Sequence, residues 1–126
     1  MSFNTLKVLK MGSKPSVFNS SSGGVFSSNA YLTEIHVDNI TTWLKSSFYS
    51  SGESYNPIRA STKILVNGEL LTDLNVPETI TSIASYNFTR YSFLKTVTLN
   101  NVTTIGNYAF YDTSVEAVYA NSNPEV

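Results

Sequence analysis

The apolar residues between Leu71 and Phe110 spell one pattern twice. The first copy is Leu71, Leu74, Val76, Ile80, Ile83, Tyr86, Phe88; the second is Leu94, Val97, Leu99, Val102, Ile105, Tyr108, Phe110. Matched positions lie 23, 23, 23, 22, 22, 22 and 22 residues apart, and the one-residue slip falls where Pro77-Glu78 is answered by a shorter turn at Asn100-Asn101. The polar words between agree as well, TSIASYNF (81–88) against TTIGNYAF (103–110). Self-similarity at this interval is the mark of a stacked solenoid, in which each unit buries its apolar face only against its neighbours. Within each copy the pattern predicts a short strand (Leu74–Val76, Val97–Leu99), a turn, and a second extended piece ending at Ile83 or Ile105. A helical turn carrying Tyr86/Phe88 or Tyr108/Phe110 is expected to follow. The same periodicity assigns all four of those aromatic residues to the core. Gly106 and Ala84 share a repeat position, which implies little room for a side chain there.

The flanks read as weaker versions of this unit. Phe3, Leu6 and Val8 have the opening spacing, a strand is expected at Leu6–Val8, and the turn-rich GSKPSVFNSSSGG follows. Leu32, Ile35 and Val37 open a further unit, which DNITTWLKSSFYS interrupts. There Trp43, Leu44 and Phe48 share a face at helical spacing after a cap at Asp38 or Thr41. Lys63 to Leu74 reads as a hairpin around Asn67-Gly68. Val115, Val118 and Ala120 begin another copy. The expected organisation is a single domain over 1–126: irregular repeats at 1–32 and 33–70 (with an insertion over 38–70), regular repeats at 71–93 and 94–114, and a partial repeat at 115–126. The same periodicity places Ile105 in the core, so Ile105→Asp is expected to unfold the chain cooperatively.

Composition narrows the functional classes. Apolar residues make up 41% of the 126, enough for a core, but charged residues only 13%, about half the usual share. The net charge of −1 offers no field for nucleic acid or an anionic membrane. With no cysteine there is no thiol catalysis, thiolate metal site or disulfide. The first residues lack the apolar run of a signal peptide, and no stretch approaches the ~18 apolar residues of a membrane span. A Ser/Thr/Asn-rich, Lys-poor surface leans towards an extracellular, cell-surface or virion location. Sequons beginning at Asn19, Asn39, Asn87 and Asn101 arise readily in such a chain.

Candidate chemistry is thin. His36, the one histidine, sits between Ile35 and Val37, so a strand turns it to the opposite face from both, beside Glu34 and Asp38 at i±2. A general base needs a carboxylate and a nucleophile placed around it, and a surface histidine in a ladder explains the pattern equally well. Two carboxylates and an imidazole on neighbouring strand positions make a poor metal cage. No carboxylate pair stands in a recognisable frame for glycoside hydrolysis, and Gly23-Gly24 lacks the partners of a phosphate loop. Neither a catalytic set, nor a cofactor, nor a metal site is therefore expected. The aromatic residues are better candidates. Tyr31, Tyr49, Tyr55, Tyr91, Tyr111 and Tyr119 have no fixed repeat slot, and tyrosines supply large contact area at low entropic cost. The candidate ligand surface comprises Tyr31, His36, Tyr49, Tyr55, Tyr91 and Tyr111. Trp43 reads as a core anchor rather than a sugar platform.

The lines LTDLNVPETITSIASYNF and LKTVTLNNVTTIGNYAF resemble the BspA-type, or Treponema pallidum-type, leucine-rich repeat. Thr89–Leu94 and Tyr111–Val115 fill the place of the family's small loop without its cysteine, and LKVLKMGSKPSVFNSSSGGVF resembles a variant repeat of the family. The resemblance implies a β-rich α/β solenoid: a short right-handed leucine-rich-repeat array with short strands, short helical turns and one helix-hairpin insertion. Such repeats occur in surface proteins of bacteria and protozoa and in phage tail or receptor-binding proteins. The resemblance therefore implies a non-catalytic adhesion or interaction module whose partner is a host or bacterial surface protein or a glycan. No catalytic motif can be carried over, because the family shares none. The alternative reading is a structural part of a larger assembly such as a phage tail, forming a homo-oligomer through open repeat ends. A small hydrolase using His36 or a carboxylate pair would require a deep pocket around those groups.

Overall fold

The computed structural model describes residues 6–15, 17–18, 32–48 and 56–120. These form a β-solenoid of about four turns, mostly short strands with little helix. Strands β1 (Val8–Gly12), β3 (Glu34–Val37) and β5 (Lys63–Val66) stack in parallel, and β6 (Glu69–Leu70) closes this sheet antiparallel to β5. A second parallel set holds β7 (Asp73–Asn75), β9 (Thr96–Thr98) and β11 (Ala117–Tyr119). Two smaller ladders occupy another side: β2 (Val17–Phe18) with β4 (Ser47–Phe48), and β8 (Ser82–Ile83) with β10 (Thr104–Ile105).

Register follows the apolar pattern. Leu9 pairs with Ile35 and Ile35 with Ile64 across one sheet, and Leu74 pairs with Val97 across the other. Every second side chain therefore enters a continuous core, where Ile35, Ile64, Leu74, Val97, Ile83, Phe88 and Leu94 are buried. Each such side chain contributes about 1.5–3 kcal/mol, and that gain depends on a neighbour above and below.

The predicted strands at the regular repeats are present, one residue earlier than the pattern placed them. The Asn67-Gly68 hairpin forms with both residues at positive φ (49° and 85°), as a two-residue turn of matching twist requires. Other expectations need correction. The first strand is Val8–Gly12 rather than Leu6–Val8, and Val17-Phe18, expected in a loop, forms a strand with β4. The helix α1 is one short piece, Ile40–Leu44, so Phe48 belongs to β4. Its cap is Asn39, between the two residues expected, and the Asn39 Oδ1 accepts from the Thr42 N–H at 3.0 Å.

The expected helical turns around Tyr86 and Tyr108 are not helices. Tyr86, Arg90, Tyr108 and Asp112 lie in the left-handed region (φ 64°, 69°, 57° and 59°). Between them run overlapping turns: the N–H groups of Asn87, Thr89 and Tyr91 donate to Ala84, Tyr86 and Phe88 oxygens. The intervening N–H groups, those of Tyr86, Phe88 and Arg90, donate instead to Asn107, Ala109 and Tyr111 oxygens of the next coil. An α-helix would turn all of these groups along its own axis. The alternating corner shares them between its own turn and its neighbour, which offsets the cost of left-handed non-glycine residues, roughly 1–2 kcal/mol each. Gly106 shows how closely the coils approach, since a Cβ there would overlap the backbone nitrogen of Ser85.

Burial stops at the last coil. Ile105 occupies the slot of Ile83 yet is 47% exposed, against 2% for Ile83. Tyr108, assigned to the core by period, is 60% exposed. Both expectations fail for one reason: a repeat position is buried by what stacks on it, and among the described residues β11 covers β9 of this coil but nothing pairs with the outer edge of β10.

Candidate functional site

Three of the six tyrosine and histidine candidates, Tyr31, Tyr49 and Tyr55, lie outside the described residues. The other three, His36, Tyr91 and Tyr111, occupy different surroundings and do not converge.

His36 stands on the outer face of β3, as the alternation predicts. Its Nε2 lies 2.8 Å from the Glu34 Oε1, one strand period away, and both side chains are partly exposed. Across the sheet it stands level with Lys10 and Leu65, and Glu34 with Val8 and Lys63. Among the described residues no hydroxyl bonds to the pair, so it lacks the adjoining nucleophile that a general base would activate. Among the described residues no group of three or more His, Asp or Glu could hold a metal ion.

Tyr91 is not a surface residue. It is fully buried, against Phe88 and Phe93. Its hydroxyl accepts from the Ile64 N–H (3.2 Å) and donates to the Leu71 oxygen (2.7 Å), stitching the β5–β6 hairpin to the regular repeats. The matched position one repeat on is Thr113, so the periodic pattern gave Tyr91 no slot. Its burial comes from the hairpin, which the pattern does not contain. Desolvation pushes its pKa from 10.0 up to about 12, partly countered by the Ile64 hydrogen bond. Below pH ~10 the phenol is neutral folded and unfolded; between about 10 and 12 only the unfolded chain ionises, so stability falls as pH rises through that window. We expect Tyr91→Phe to lose about 1–3 kcal/mol at neutral pH, because the Ile64 and Leu71 backbone groups lose their partner. Thermal melts of both proteins should converge between pH 9 and 12, since the variant lacks this titration; parallel curves would remove the assignment.

Tyr111 is exposed, and with it Tyr108. The Tyr108 ring stacks on Tyr86 of the preceding coil (centroids 5.9 Å apart, planes 9° from parallel) and meets Tyr111 edge-on at 5.4 Å. Below this ledge Phe88 and Phe110 stack in the same way, 5.6 Å apart. The ledge borders a face left uncovered among the described residues, where Ile105, Val118 and Tyr119 are exposed. The backbone there matches. Tyr108, Phe110 and Asp112 occupy the positions whose N–H groups, one coil earlier, donate to the next coil, and among the described residues these have no acceptor. Sequence reading assigned Tyr108 to the core and so missed it.

The strand ladders are interrupted between β6 and β7 and between β4 and β8, where neither pair is hydrogen-bonded. Across this break the coils are clasped through the core. The Trp43 indole N–H donates to the Asn87 oxygen at 3.0 Å, and the Asn87 amide donates back to the Trp43 oxygen at 3.3 Å. Asn56, from the segment before the hairpin, donates to the Tyr86 oxygen at 2.9 Å.

A family model described as BspA type leucine rich repeat region (6 copies) matches residues 58–126. The chain belongs to the BspA-type leucine-rich repeat family. No curated protein and no solved structure matches it. Leucine-rich repeat families are generally non-catalytic and generally mediate protein–protein interaction, and BspA-type repeats are often surface-associated. Among the described residues no helix is long and apolar enough to cross a membrane.

Proposed function

We propose that this BspA-type repeat chain is a non-catalytic interaction module of a cell or virion surface, binding a host or bacterial surface protein or a glycan through its repeat surface. The observation that carries this reading is the tyrosine ledge. Tyr108 and Tyr111 are exposed, yet their rings are held against Tyr86 and each other. Preordered tyrosines offer apolar faces and hydroxyl donors with little rotamer freedom left to lose. The module is read as a right-handed array in which residues 38–70 are an inserted helix-hairpin segment and 71–93 and 94–114 are the regular repeats. The test is a panel of printed glycans and immobilised extracellular-matrix proteins, probed with the wild-type chain and with Tyr108→Ser/Tyr111→Ser. At least one wild-type signal should fall about tenfold or more in the variant. Signals that the variant keeps, or none at all, would count against the ledge.

The β10 edge, uncovered among the described residues, favours a second reading, a component of a larger assembly such as a phage tail that stacks end to end. Exposed Ile105, Val118 and Tyr119, beside backbone donors that have no acceptor among the described residues, support it. Light scattering across a concentration series separates the two. A defined oligomer abolished by Val118→Lys supports stacking, and a monomer throughout removes it.

A further inference from the structure

The break between β6 and β7 does more than interrupt the ladder. The two strands are joined only by Leu71 and Thr72, run on from one another, and share no strand hydrogen bond. Between them lies an open groove of about 340 Å³, lined by Ile40, Val66, Glu69, Leu70, Asp73 and Leu74 among others. Its volume falls at the lower end of the range for ligand clefts.

Both walls present unpaired backbone. On β7, Thr72 and Val76 bond towards β9: the Thr72 oxygen accepts from Lys95 and the Val76 N–H donates to Thr98. With a period of two, the N–H and C=O groups of Asp73 and Asn75 turn the other way, into the groove. On β6, the Leu71 N–H bonds to the Ile64 oxygen and Glu69 pairs with Val66, so the backbone of Leu70 also turns away from β5. Among the described residues none of these three backbone units has a hydrogen-bond partner. The floor is apolar, and Leu70 leaves a large apolar side chain exposed at the rim. The charged groups of the lining are both acidic, Glu69 and Asp73, and no basic residue lines the groove. The Asp73 carboxylate is held in place: it accepts from the Thr96 hydroxyl at 2.6 Å and the Thr72 hydroxyl at 3.4 Å.

We infer that this groove is a docking site for an extended basic peptide segment of another protein, added as a strand along the free edge of β7. Main-chain bonds to Asp73 and Asn75 supply the register. Alternate apolar side chains of the peptide lie on the floor around Ile40, Val66 and Leu74. The intervening lysines or arginines face Asp73 and Glu69. This surface is separate in sequence and in lining from the tyrosine ledge, and it stands or falls independently of it.

The probe is a fluorescent hexapeptide of alternating Lys and Val, with a Glu/Val peptide as control, titrated with the whole chain by fluorescence anisotropy. Saturable binding of the Lys/Val peptide below about 1 mM is expected, at least about tenfold tighter than the control. Glu69→Gln/Asp73→Asn, which keeps the hydroxyl acceptors, should weaken it about tenfold while leaving the thermal melt unchanged, and raising salt from about 0.1 to 1 M should weaken it too. N-methylating alternate peptide amides, in each of the two frames, should abolish binding in at least one. No saturation, equal binding of both peptides, or indifference to methylation in both frames would overturn the proposal.

Discussion

Ile83→Asp should abolish the folded state, and Ile105→Asp, the same substitution at the same repeat position, should leave it nearly intact. Ile83 lies within the core between neighbouring coils. An aspartate there either buries an unpaired carboxylate or is forced to bind a proton, at a cost of several kcal/mol. Set against a total stability of about 5–15 kcal/mol, that is sufficient to unfold a small chain. Ile105 sits on β10, which pairs with β8 alone, with nearly half its surface in water, so its substitute can remain hydrated. A loss of about 1 kcal/mol or less is expected. Circular dichroism melts of the two variants check the pair. Equal losses would mean that Ile105 is covered in solution, and the open end would have to be abandoned.

Trp43→Ala should cost about 3–5 kcal/mol, the usual range for removing a fully buried large aromatic side chain. Trp43 packs against Phe48 (5.2 Å between centroids) and Phe88 (6.5 Å), across the point where both strand ladders are broken. Its indole N–H also satisfies the buried Asn87 oxygen. Trp43→Phe separates the two contributions: it keeps a ring but not the donor, and should lose about 1–3 kcal/mol from the unpaired carbonyl together with some packing. Urea unfolding gives both values. A Trp43→Ala protein with an unchanged midpoint would show that the clasp does not join the irregular coils to the regular ones.

The repeat was legible because burial writes itself into spacing. Leu74 and Val97, or Phe88 and Phe110, face neighbours of their own kind in register, so their chemistry recurs at the repeat interval. What spacing cannot express is whether a neighbour exists. Ile83 and Ile105 are the same residue in the same slot, and their environments differ because only one is covered. Nor can a period describe a residue used once. By its spacing Tyr91 reads as a surface tyrosine, since Thr113 follows it in the pattern, yet its hydroxyl ties down the 63–70 hairpin, which the next described repeat lacks. The corner residues failed differently. TSIASYNF carries the apolar spacing of a helix, but its backbone donors alternate between its own turn and the adjacent coil, with left-handed residues at Tyr86 and Arg90. The groove beside β7 was hidden for a related reason: Asn67-Gly68 announces a hairpin, but not that the hairpin occupies the place of the next parallel strand.

That alternating corner leaves a signature in time as well as in space. Between Tyr86 and Tyr91 every amide proton is engaged, half within the coil and half along the stack. One coil later only two of the within-coil set, Ala109 and Tyr111, retain acceptors among the described residues. In heavy water the first corner should therefore exchange uniformly slowly. The second should give a comb, with Ala109 and Tyr111 slow and Tyr108, Phe110 and Asp112 fast. Anything that lands on the open end in register, whatever its origin, would fill in the fast teeth and leave the slow ones unmoved, so five neighbouring amides suffice to detect an arriving coil.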